Sequence, residues 1–238
     1  MEKYLRVALT LLCLTSGHTR AAQGESFMLG VDANYSLDME SHGARWKWES
    51  KEEEIFTGTQ RQGVRWLRVR LWTSDEGPSG KTYARKMVER ATKAGLRPYL
   101  AIFLSDNWAD LMKQPSPAIW RTLPLGERVE AVQHYSRDVV ADLRQHGLTS
   151  HVYEIGNEID YGICGVFASK SDDKRPQNLP NRIWPQATQI VRSCERGVKE
   201  ADPEAKFILH IAHWWDADFC IAFFNSCSSN MWKSIMPL

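Results

Sequence analysis

The sequence predicts an α/β fold: a (β/α)8 TIM barrel of which this chain carries about the first five βα units. After residue 25, short apolar segments alternate with longer charged or amphipathic ones, as in parallel strands separated by covering helices. Five apolar segments of strand length are present, whereas a complete barrel has eight. Polar residues follow these segments at their carboxyl ends, where barrel enzymes place their active sites.

The individual elements follow from hydrophobic runs and from signals that end helices. Gly95 and Gly147 follow amphipathic stretches and predict helix C-caps, and Asp202-Pro203 predicts the end of another helix. The predicted strands are 27–32, 64–72, 98–104, 151–156 and 207–211, and the predicted helices are 51–62, 81–94, 127–145 and 184–201. No GxGxxG or GxxxxGK[ST] motif follows a predicted strand, which disfavours a nucleotide-binding version of the fold.

The composition is typical of one globular domain with a sizeable core. The chain has 238 residues, of which 43% are hydrophobic, and a formal net charge of +1. This balance argues against nucleic acid or an anionic membrane as a partner, and we expect a monomer. The ten tryptophans are unusual, because tryptophan both packs cores and offers flat faces on which sugar rings stack.

The N-terminus is typical of a secretory signal peptide. Lys3 and Arg6 precede an apolar run, 7–14, that is too short to span a bilayer, and Ala21 and Ala22 are small enough for cleavage. The alternative is a buried first helix. We expect secretion, with a signal peptide at 1–22, a barrel domain at 26–224 and an atypical polar tail at 225–238.

The cysteines leave two possibilities open. Cys13 lies in the predicted signal peptide, which leaves an even number of cysteines: Cys164, Cys194, Cys220 and Cys227. Their spacing is irregular and contains no CxxC pair, so a zinc site is disfavoured. One or two disulfides are compatible with secretion, and free buried thiols are compatible with the large core.

The strongest chemical signal is Asn157-Glu158 at the end of the fourth predicted strand. Cleavage of a glycosidic bond needs a carboxylic acid beside the leaving oxygen, and Glu158 would reach the barrel mouth. Asn157 could donate a hydrogen bond to a sugar hydroxyl next to the reacting carbon. The alternative interpretation is an Asn-Glu pair that caps the following helix.

Four segments resemble a known family in their order and spacing. They are Gly30–Asp32, Gly63–Trp72, Ser105–Asp110 and Ile155–Ile159, with a weaker match at Ile208–His210. They are similar to glycoside hydrolase family 53, the arabinogalactan endo-β-1,4-galactanases. The resemblance implies a retaining mechanism in which Glu158 is the proton donor and the nucleophile is a glutamate at the end of strand seven. No residue of this sequence matches that nucleophile, so we expect little or no glycosidase activity from the chain as given.

Two departures from the family pattern bear on specificity. The family has Asp-Phe-His-Tyr-Ser-Asp on strand three, whereas this chain has Ala101–Asp106 without the first Asp and the His. After His210 the family has an Asp-Asn-Gly run, and here the run is Ile211–Trp215. Two alternatives therefore remain: a non-catalytic carbohydrate-binding protein on a degenerate barrel, or a related glycosidase with another polysaccharide substrate.

Eight further residues are candidates for contact with substrate: Asp32, Arg70, Trp72, Asp106, Trp108, Asn157, His210 and Trp214. Arg70 could hold the nucleophile carboxylate or form a salt bridge inside the barrel. Each candidate tryptophan could instead be a core residue.

Several neighbouring residues are expected to play no part in a site. If Trp214 and Trp215 lie on a strand, they point to opposite faces and only one lines the cleft. The same argument separates His210 from His213, so no metal and no other cofactor is expected. Arg65 and Arg68 are expected on solvated faces, together with Lys81, Arg85 and Lys86.

Overall fold

The computed structural model describes residues 28–150 and 152–227. The predicted signal peptide, 1–22, lies outside the described residues, as do residues 228–238 of the predicted tail.

The described chain alternates strands and helices along its length. The strands are β1 (Gly30–Asp32), β2 (Lys47–Trp48), β3 (Lys51–Glu52), β4 (Trp66–Leu71), β5 (Arg97–Ile102), β6 (Val152–Ile155), β7 (Gly162–Ile163), β8 (Val166–Phe167) and β9 (Lys206–Leu209). The helices are α1 (Ser36–Ser41), α2 (Ile55–Arg61), α3 (Lys81–Lys93), α4 (Leu125–Gln145), α5 (Leu179–Arg182), α6 (Trp184–Ala201) and α7 (Ala217–Cys227). Two short 3₁₀ helices lie at Ala118–Trp120 and Ile159–Tyr161.

Five of the strands form one parallel sheet in the order β1-β4-β5-β6-β9. Strands that follow one another in the chain, apart from the small hairpins, are therefore neighbours in space. This confirms the predicted α/β architecture, and all five predicted strands are present. The parallel arrangement brings the carboxyl ends of all five strands to one edge of the sheet.

The alternation along β4 decides which side chains face the two sides of the sheet. Leu67, Val69 and Leu71 are buried in the main hydrophobic core, which also contains the inward faces of the helices. Arg68 and Arg70 point to the opposite, concave face because successive side chains of a strand alternate. The register pairs Arg70 with Ala101 on β5, and Ala101 with Glu154 on β6, so these residues share the concave face.

Helices α4 and α6 pack closely against each other on the outer side of the sheet. The two helices lie close together at Gly197 of α6, where an added Cβ would lie 2.1 Å from the carbonyl oxygen of Gln133 on α4. A contact that short is impossible without separating the two backbones. Gly197 is therefore required by helix packing.

Replacing Gly197 by alanine is expected to destabilise the protein by about 1–3 kcal/mol, because the extra methyl group must push the two helices apart. The midpoint and slope of urea unfolding measure this. Gly126→Ala is the matched control: Gly126 lies in the first turn of α4, and a Cβ there has no atom within 4 Å. We expect the control to be neutral or slightly stabilising, since alanine favours helix. Equal destabilisation by both substitutions would contradict the packing argument.

The structure differs from the predicted elements at 51–62, and it adds elements that were not predicted, among them α1, α5, α7 and the β7–β8 hairpin. The predicted helix 51–62 is a strand, β3, followed by the shorter helix α2, which begins after Glu54. The Glu54 carboxylate accepts a hydrogen bond from the N–H of Thr57 at 2.7 Å and so caps this helix. Helix α7 continues through Cys227, three residues into the predicted tail at 225–238.

The cysteines in the described part of the chain are free thiols. Cys164, Cys194 and Cys227 are buried and Cys220 is half-buried. Burial raises the pKa of Cys164 and Cys194 to about 12, so these thiols stay protonated and unreactive. Among residues 28–150 and 152–227, no helix combines the length and the apolar character needed to cross a membrane.

Candidate active site

Glu158 lies just beyond the carboxyl end of β6, in a sharp turn. Its backbone has φ 49° and ψ 58°, the left-handed region that a non-glycine residue seldom adopts. Its side chain is half-buried, and Oε2 accepts a hydrogen bond from the N–H of Leu111 at 3.3 Å. The Glu158 side chain does not cap the following 3₁₀ helix, which was the alternative interpretation of the Asn-Glu pair. Strained backbone of this kind is concentrated at functional sites.

The turn before Glu158 needs a glycine. Gly156 has φ +76°, and an added Cβ would lie 2.3 Å from the side chain of Ile159. Only a residue without Cβ lets the chain turn this tightly after a buried strand. The N–H of Ile159 donates to the carbonyl oxygen of His210 at 3.0 Å, which ties the turn to the end of β9.

Asn157 is buried, and both ends of its amide already have partners. Its Nδ2 donates to the carbonyl oxygen of Ala109 at 2.8 Å, and its Oδ1 accepts from Arg68 at 2.8 Å. Gln114 donates to the carbonyl oxygen of Asn157 at 2.8 Å and to that of Glu158 at 3.2 Å. In this arrangement Asn157 fixes the backbone that carries Glu158.

Arg68 is the centre of an ion network on the concave face. Its Nε donates to one oxygen of Glu154 at 2.8 Å, and its Nη2 donates to the other. Its Nη1 donates to Asp32 at 2.9 Å. The expectation that Arg68 lies on a solvated face is wrong, because strand alternation turns it inward, where its side chain is only 12% exposed.

The Arg68–Glu154 ion pair crosses β5, the strand that lies between its two partners. Arg68 is on β4 and Glu154 is on β6, and strands that are two apart are separated by about 10 Å. Ala101 occupies the concave face of β5 between them, paired in register with both Arg70 and Glu154. Arg68 pairs in register with Tyr99, and Glu154 pairs with Ala101, so the ion pair runs diagonally across β5.

Arg70 closes the network on its other side. Its Nε donates to Asp32 at 3.0 Å, and its guanidinium lies over the ring of Trp108, 4.9 Å from the centroid. Arg70 therefore forms the internal salt bridge that was one of its two predicted roles. Asn34 donates to Asp32 at 2.7 Å, so this carboxylate is held from three directions.

His210 joins the network from the position directly after β9. Its Nδ1 lies 3.1 Å from Glu154 Oε1, and its side chain is 37% exposed. Burial by itself raises the pKa of Glu154, but hydrogen bonds from Arg68 and His210, together with the charge of Arg68, hold it below its ordinary value of 4.5. Burial likewise raises the pKa of Asp32, and the hydrogen bond from Asn34 with the nearby arginines lowers it below 3.8.

The two lowered pKa values predict a loss of stability in acid. A carboxyl group whose pKa is lower in the folded protein stabilises it above the unfolded pKa and loses that effect as the pH falls through the folded pKa. We therefore expect the free energy of unfolding to be fully retained at pH 7 and to fall progressively below about pH 4.5. Urea unfolding at pH 7 and pH 3 measures this. A Glu154→Gln variant should lose less stability between these pH values than the wild type, and an equal loss would contradict the assignment to Glu154.

Three of the predicted substrate-contact residues lie outside this network. Trp72 is half-buried against Ala101 and Phe103 on the concave side. Asp106 accepts a hydrogen bond from the N–H of Ala118 at 2.6 Å and shapes the loop after β5. Trp214 is 76% exposed.

The tryptophans after β9 differ from expectation. The strand ends at Leu209, so Trp214 and Trp215 lie in the following loop and not on opposite faces of a strand. Both are exposed. The described residues contain no group of three or more His, Cys, Asp or Glu side chains placed to hold a metal ion.

Sequence reasoning missed Arg68, Glu154 and Asp160 as site residues. Glu154 is the single charged residue of the strand Val-Tyr-Glu-Ile, and it is only 2% exposed. A carboxylate in a buried strand needs a cationic partner, so the sequence was enough to identify Glu154 as a buried charge that must be paired. The sequence was not enough to identify the partner, because Arg68 is 86 residues away along the chain.

Comparison with known proteins points to one family. The family described as Glycosyl hydrolase family 53 matches residues 28–233. An arabinogalactan endo-beta-1,4-galactanase from Cellvibrio japonicus is 27% identical over 227 residues, which are 90% of this chain and 58% of that protein. The chain thus spans less than two thirds of this relative's length.

Solved structures show the same fold. A glycoside hydrolase family 53 catalytic domain from Ignisphaera aggregans superposes with a TM-score of 0.74 at 24% identity, covering 85% of this chain and 57% of the other. A fungal β-1,4-galactanase structure gives a TM-score of 0.74 at 24% identity, covering 84% and 57%. These neighbours are (β/α)8 barrels, which confirms the predicted fold class, with five βα units of the barrel described here. The chain belongs to glycosyl hydrolase family 53.

Proposed function

We propose that this protein serves in the endo-hydrolysis of β-1,4-galactosidic bonds in plant cell-wall galactan, with retention of configuration and with Glu158 as the acid/base. The observation that carries the proposal is the placement of Glu158. It lies at the rim of the sheet beyond β6, half-exposed and in a strained turn, inside the segment that matches the family. The relatives named as galactanases support the choice of galactan as substrate.

In the proposed mechanism Glu158 protonates the leaving oxygen and later removes a proton from the hydrolytic water. The N–H of Leu111 orients the carboxyl group, while Asn157 and Gln114 hold the backbone of the turn. These contacts keep Glu158 in one position, which is what proton transfer to a bound substrate requires.

A retaining mechanism also needs a second carboxylate about 5 Å from the first, across the sugar ring. The carboxylates of the network do not suit this role, because Asp32 and Glu154 are already paired with arginines. Asp160 is fully buried and accepts hydrogen bonds from the loop after β9. The family resemblance implies a nucleophile after strand seven, and the sheet of the described residues has five strands.

We also propose that the predicted contact residues line the substrate path: Asp32, Arg70, Trp72, Asp106, Trp108, Asn157, His210 and Trp214. Asp32 and Arg70 lie at the carboxyl ends of β1 and β4, and the other six follow the carboxyl ends of their strands, on the same edge of the sheet as Glu158. The proposal also includes the predicted division of the chain into a signal peptide at 1–22, a barrel domain at 26–224 and a tail at 225–238. Because it includes a signal peptide, it also includes secretion of the protein.

The test uses the 238-residue chain and a fusion in which residues 28–227 are followed by strands six to eight of the Cellvibrio japonicus galactanase. We expect the chain alone to bind β-1,4-galactotetraose with little or no hydrolysis. The fusion should release internal fragments from galactan, and NMR should show retained anomeric configuration in the first product. A folded fusion that cleaves cellulose or mannan but not galactan would favour a related glycosidase. Binding without cleavage in the folded fusion would favour the non-catalytic alternative.

A further inference from the structure

One lysine after the β7–β8 hairpin turns its ammonium group inward. Lys174 is half-buried, and its Nζ lies 4.9 Å from the ring centroid of Tyr161 and 5.2 Å from that of Phe167. The same Nζ donates a hydrogen bond to the carbonyl oxygen of Leu111 at 3.3 Å. An ammonium group over an aromatic face is attracted by the negative charge of that face, so two rings and a carbonyl group hold this cation.

The neighbouring arginines of the same region behave differently. Arg175 pairs with Asp172 at 3.4 Å. Arg182, at the end of α5, pairs with Asp172 at 3.0 Å and with Asp173 at 2.8 Å. These ion pairs are exposed to solvent. Lys174 follows Asp173 directly in the sequence, yet the contacts of its ammonium group are with aromatic rings and a backbone carbonyl, so pairing of surface charges does not explain its inward position.

Leu111, which accepts the hydrogen bond from this lysine, lies in a tight turn of the loop after β5. The turn is closed by two backbone hydrogen bonds between Asp110 and Lys113, at 2.9 and 3.2 Å. Both polar backbone groups of Leu111 are bonded outside the turn. Its carbonyl oxygen accepts from Lys174, and its N–H donates to Glu158 Oε2 at 3.3 Å. The lysine and the acid/base are therefore joined through a single residue.

The two aromatic rings connect Lys174 to the acid/base along a second path. Tyr161 lies three residues after Glu158, and Phe167 ends β8. The N–H of Ala168 donates to the carbonyl oxygen of Tyr161 at 2.9 Å, and this bond closes the β7–β8 hairpin at its base. Lys174 therefore contacts both the segment that carries Glu158 and the turn that donates to Glu158. Its ammonium group fixes the position of one relative to the other.

We propose that Lys174 is a positioning residue for Glu158 and acts through Leu111. The ammonium group is anchored on the rings of Tyr161 and Phe167. It holds the Leu111 carbonyl and so keeps the Leu111 N–H directed at the Glu158 carboxylate. Proton transfer needs a carboxyl group held in one orientation, since a small misplacement lowers the rate steeply. The inference rests on the proposed function for the role of Glu158 as acid/base, and it adds a residue that governs how that group is held.

The first test measures backbone hydrogen exchange by NMR in the 238-residue chain. Lys174→Met keeps the apolar stem against the rings but removes the charge and the donor, so exchange of the Leu111 N–H should become about tenfold faster. Lys174→Arg keeps a cation and a donor and should restore slow exchange. Lys170→Met is the matched control, since Lys170 is an exposed lysine four residues earlier in the same loop. It should leave the exchange of Leu111 unchanged.

A second NMR measurement reports on Glu158 itself. Three-bond couplings between its Cα and Cβ protons show whether the side chain occupies one χ1 rotamer or several. We expect the couplings of a single rotamer in the wild type and in Lys174→Arg, and averaged couplings in Lys174→Met. A merely structural role of Lys174 predicts instead that amides across the whole domain lose protection together, without a selective change at Leu111 and Glu158.

Any of four results would overturn the inference: wild-type exchange of Leu111 in Lys174→Met, no recovery in Lys174→Arg, an unchanged Glu158 rotamer in Lys174→Met, or a uniform loss of protection across the domain. These failures differ from failure of the proposed function. If the Glu158→Gln fusion still cleaves galactan, the acid/base assignment fails, whereas the exchange data still decide whether Lys174 holds Leu111. If Leu111 does not respond to Lys174→Met, the positioning role fails while the acid/base assignment stands.

Discussion

Replacing Glu158 by glutamine is expected to lower galactan hydrolysis by the fusion protein about 10²–10⁴-fold, the usual contribution of a general acid/base. Glutamine has nearly the same shape and can still accept the hydrogen bond from Leu111, but it cannot deliver a proton to the leaving oxygen. The substitution should therefore leave the turn and substrate binding nearly unchanged while turnover is lost.

The choice of leaving group separates loss of proton donation from general damage. A 2,4-dinitrophenyl β-galactobioside has a leaving group that departs without protonation, so Glu158→Gln should slow its cleavage step far less than it slows galactan hydrolysis. The measurement is the initial burst and steady-state rate on both substrates. Glu127→Gln, at an exposed position in the first turn of α4, is the control and should retain full activity. Equal losses on both substrates would contradict the role of Glu158 as proton donor.

Replacing Glu154 by alanine is expected to destabilise the protein by about 3–5 kcal/mol, because it leaves a buried arginine without its main counter-charge. The Arg68 side chain is 12% exposed and that of Glu154 is 3% exposed, so solvent cannot replace the lost carboxylate. The loss should also free the Arg68 guanidinium from its bidentate contact. Arg68 then holds Asn157 less firmly, and the turn that carries Glu158 is less well fixed.

A double-mutant cycle shows whether the effect comes from the pair. Arg68→Met and Glu154→Leu should each be strongly destabilising, whereas the double variant should recover much of the lost free energy, since an apolar pair leaves no buried charge. Urea unfolding at pH 7 measures all four proteins. Additive losses would show that the ion pair itself contributes little. Arg61→Met, which affects the more exposed Arg61–Glu53 ion pair, is the control and should cost less than about 1 kcal/mol.

Local patterns were enough to predict the sheet and its covering helices. Each of these local signals acts within a few residues of its own position. They are the apolar segments, the glycines at 95 and 147 and the Asp-Pro at 202. The five strands, their parallel order and the helices α3, α4 and α6 therefore follow from the sequence. The β2–β3 hairpin at 47–52 was missed, because its strands are two residues long and have no hydrophobic period.

Glu158 was predicted from its position after a buried strand and from the resemblance of the surrounding motif to a known family. Its environment was not predicted. The N–H of Leu111 comes from the loop after β5, 47 residues earlier in the chain. The pairing of Arg68 with Glu154 joins residues that are 86 apart in the chain and lie on two strands that are not adjacent.

Residues close together in the chain are enough to predict the order of strands and helices, the class of fold and the carboxyl group at the end of the fourth strand of the sheet. Which charges neutralise one another, and how the loop after β9 is held, depends on contacts between residues that are far apart in the chain. Asp160 and His213 are 53 residues apart, and Asp32 and Arg70 are 38 apart. A buried charge must find a partner, but which partner it finds depends on distances that exist only once the sheet has formed.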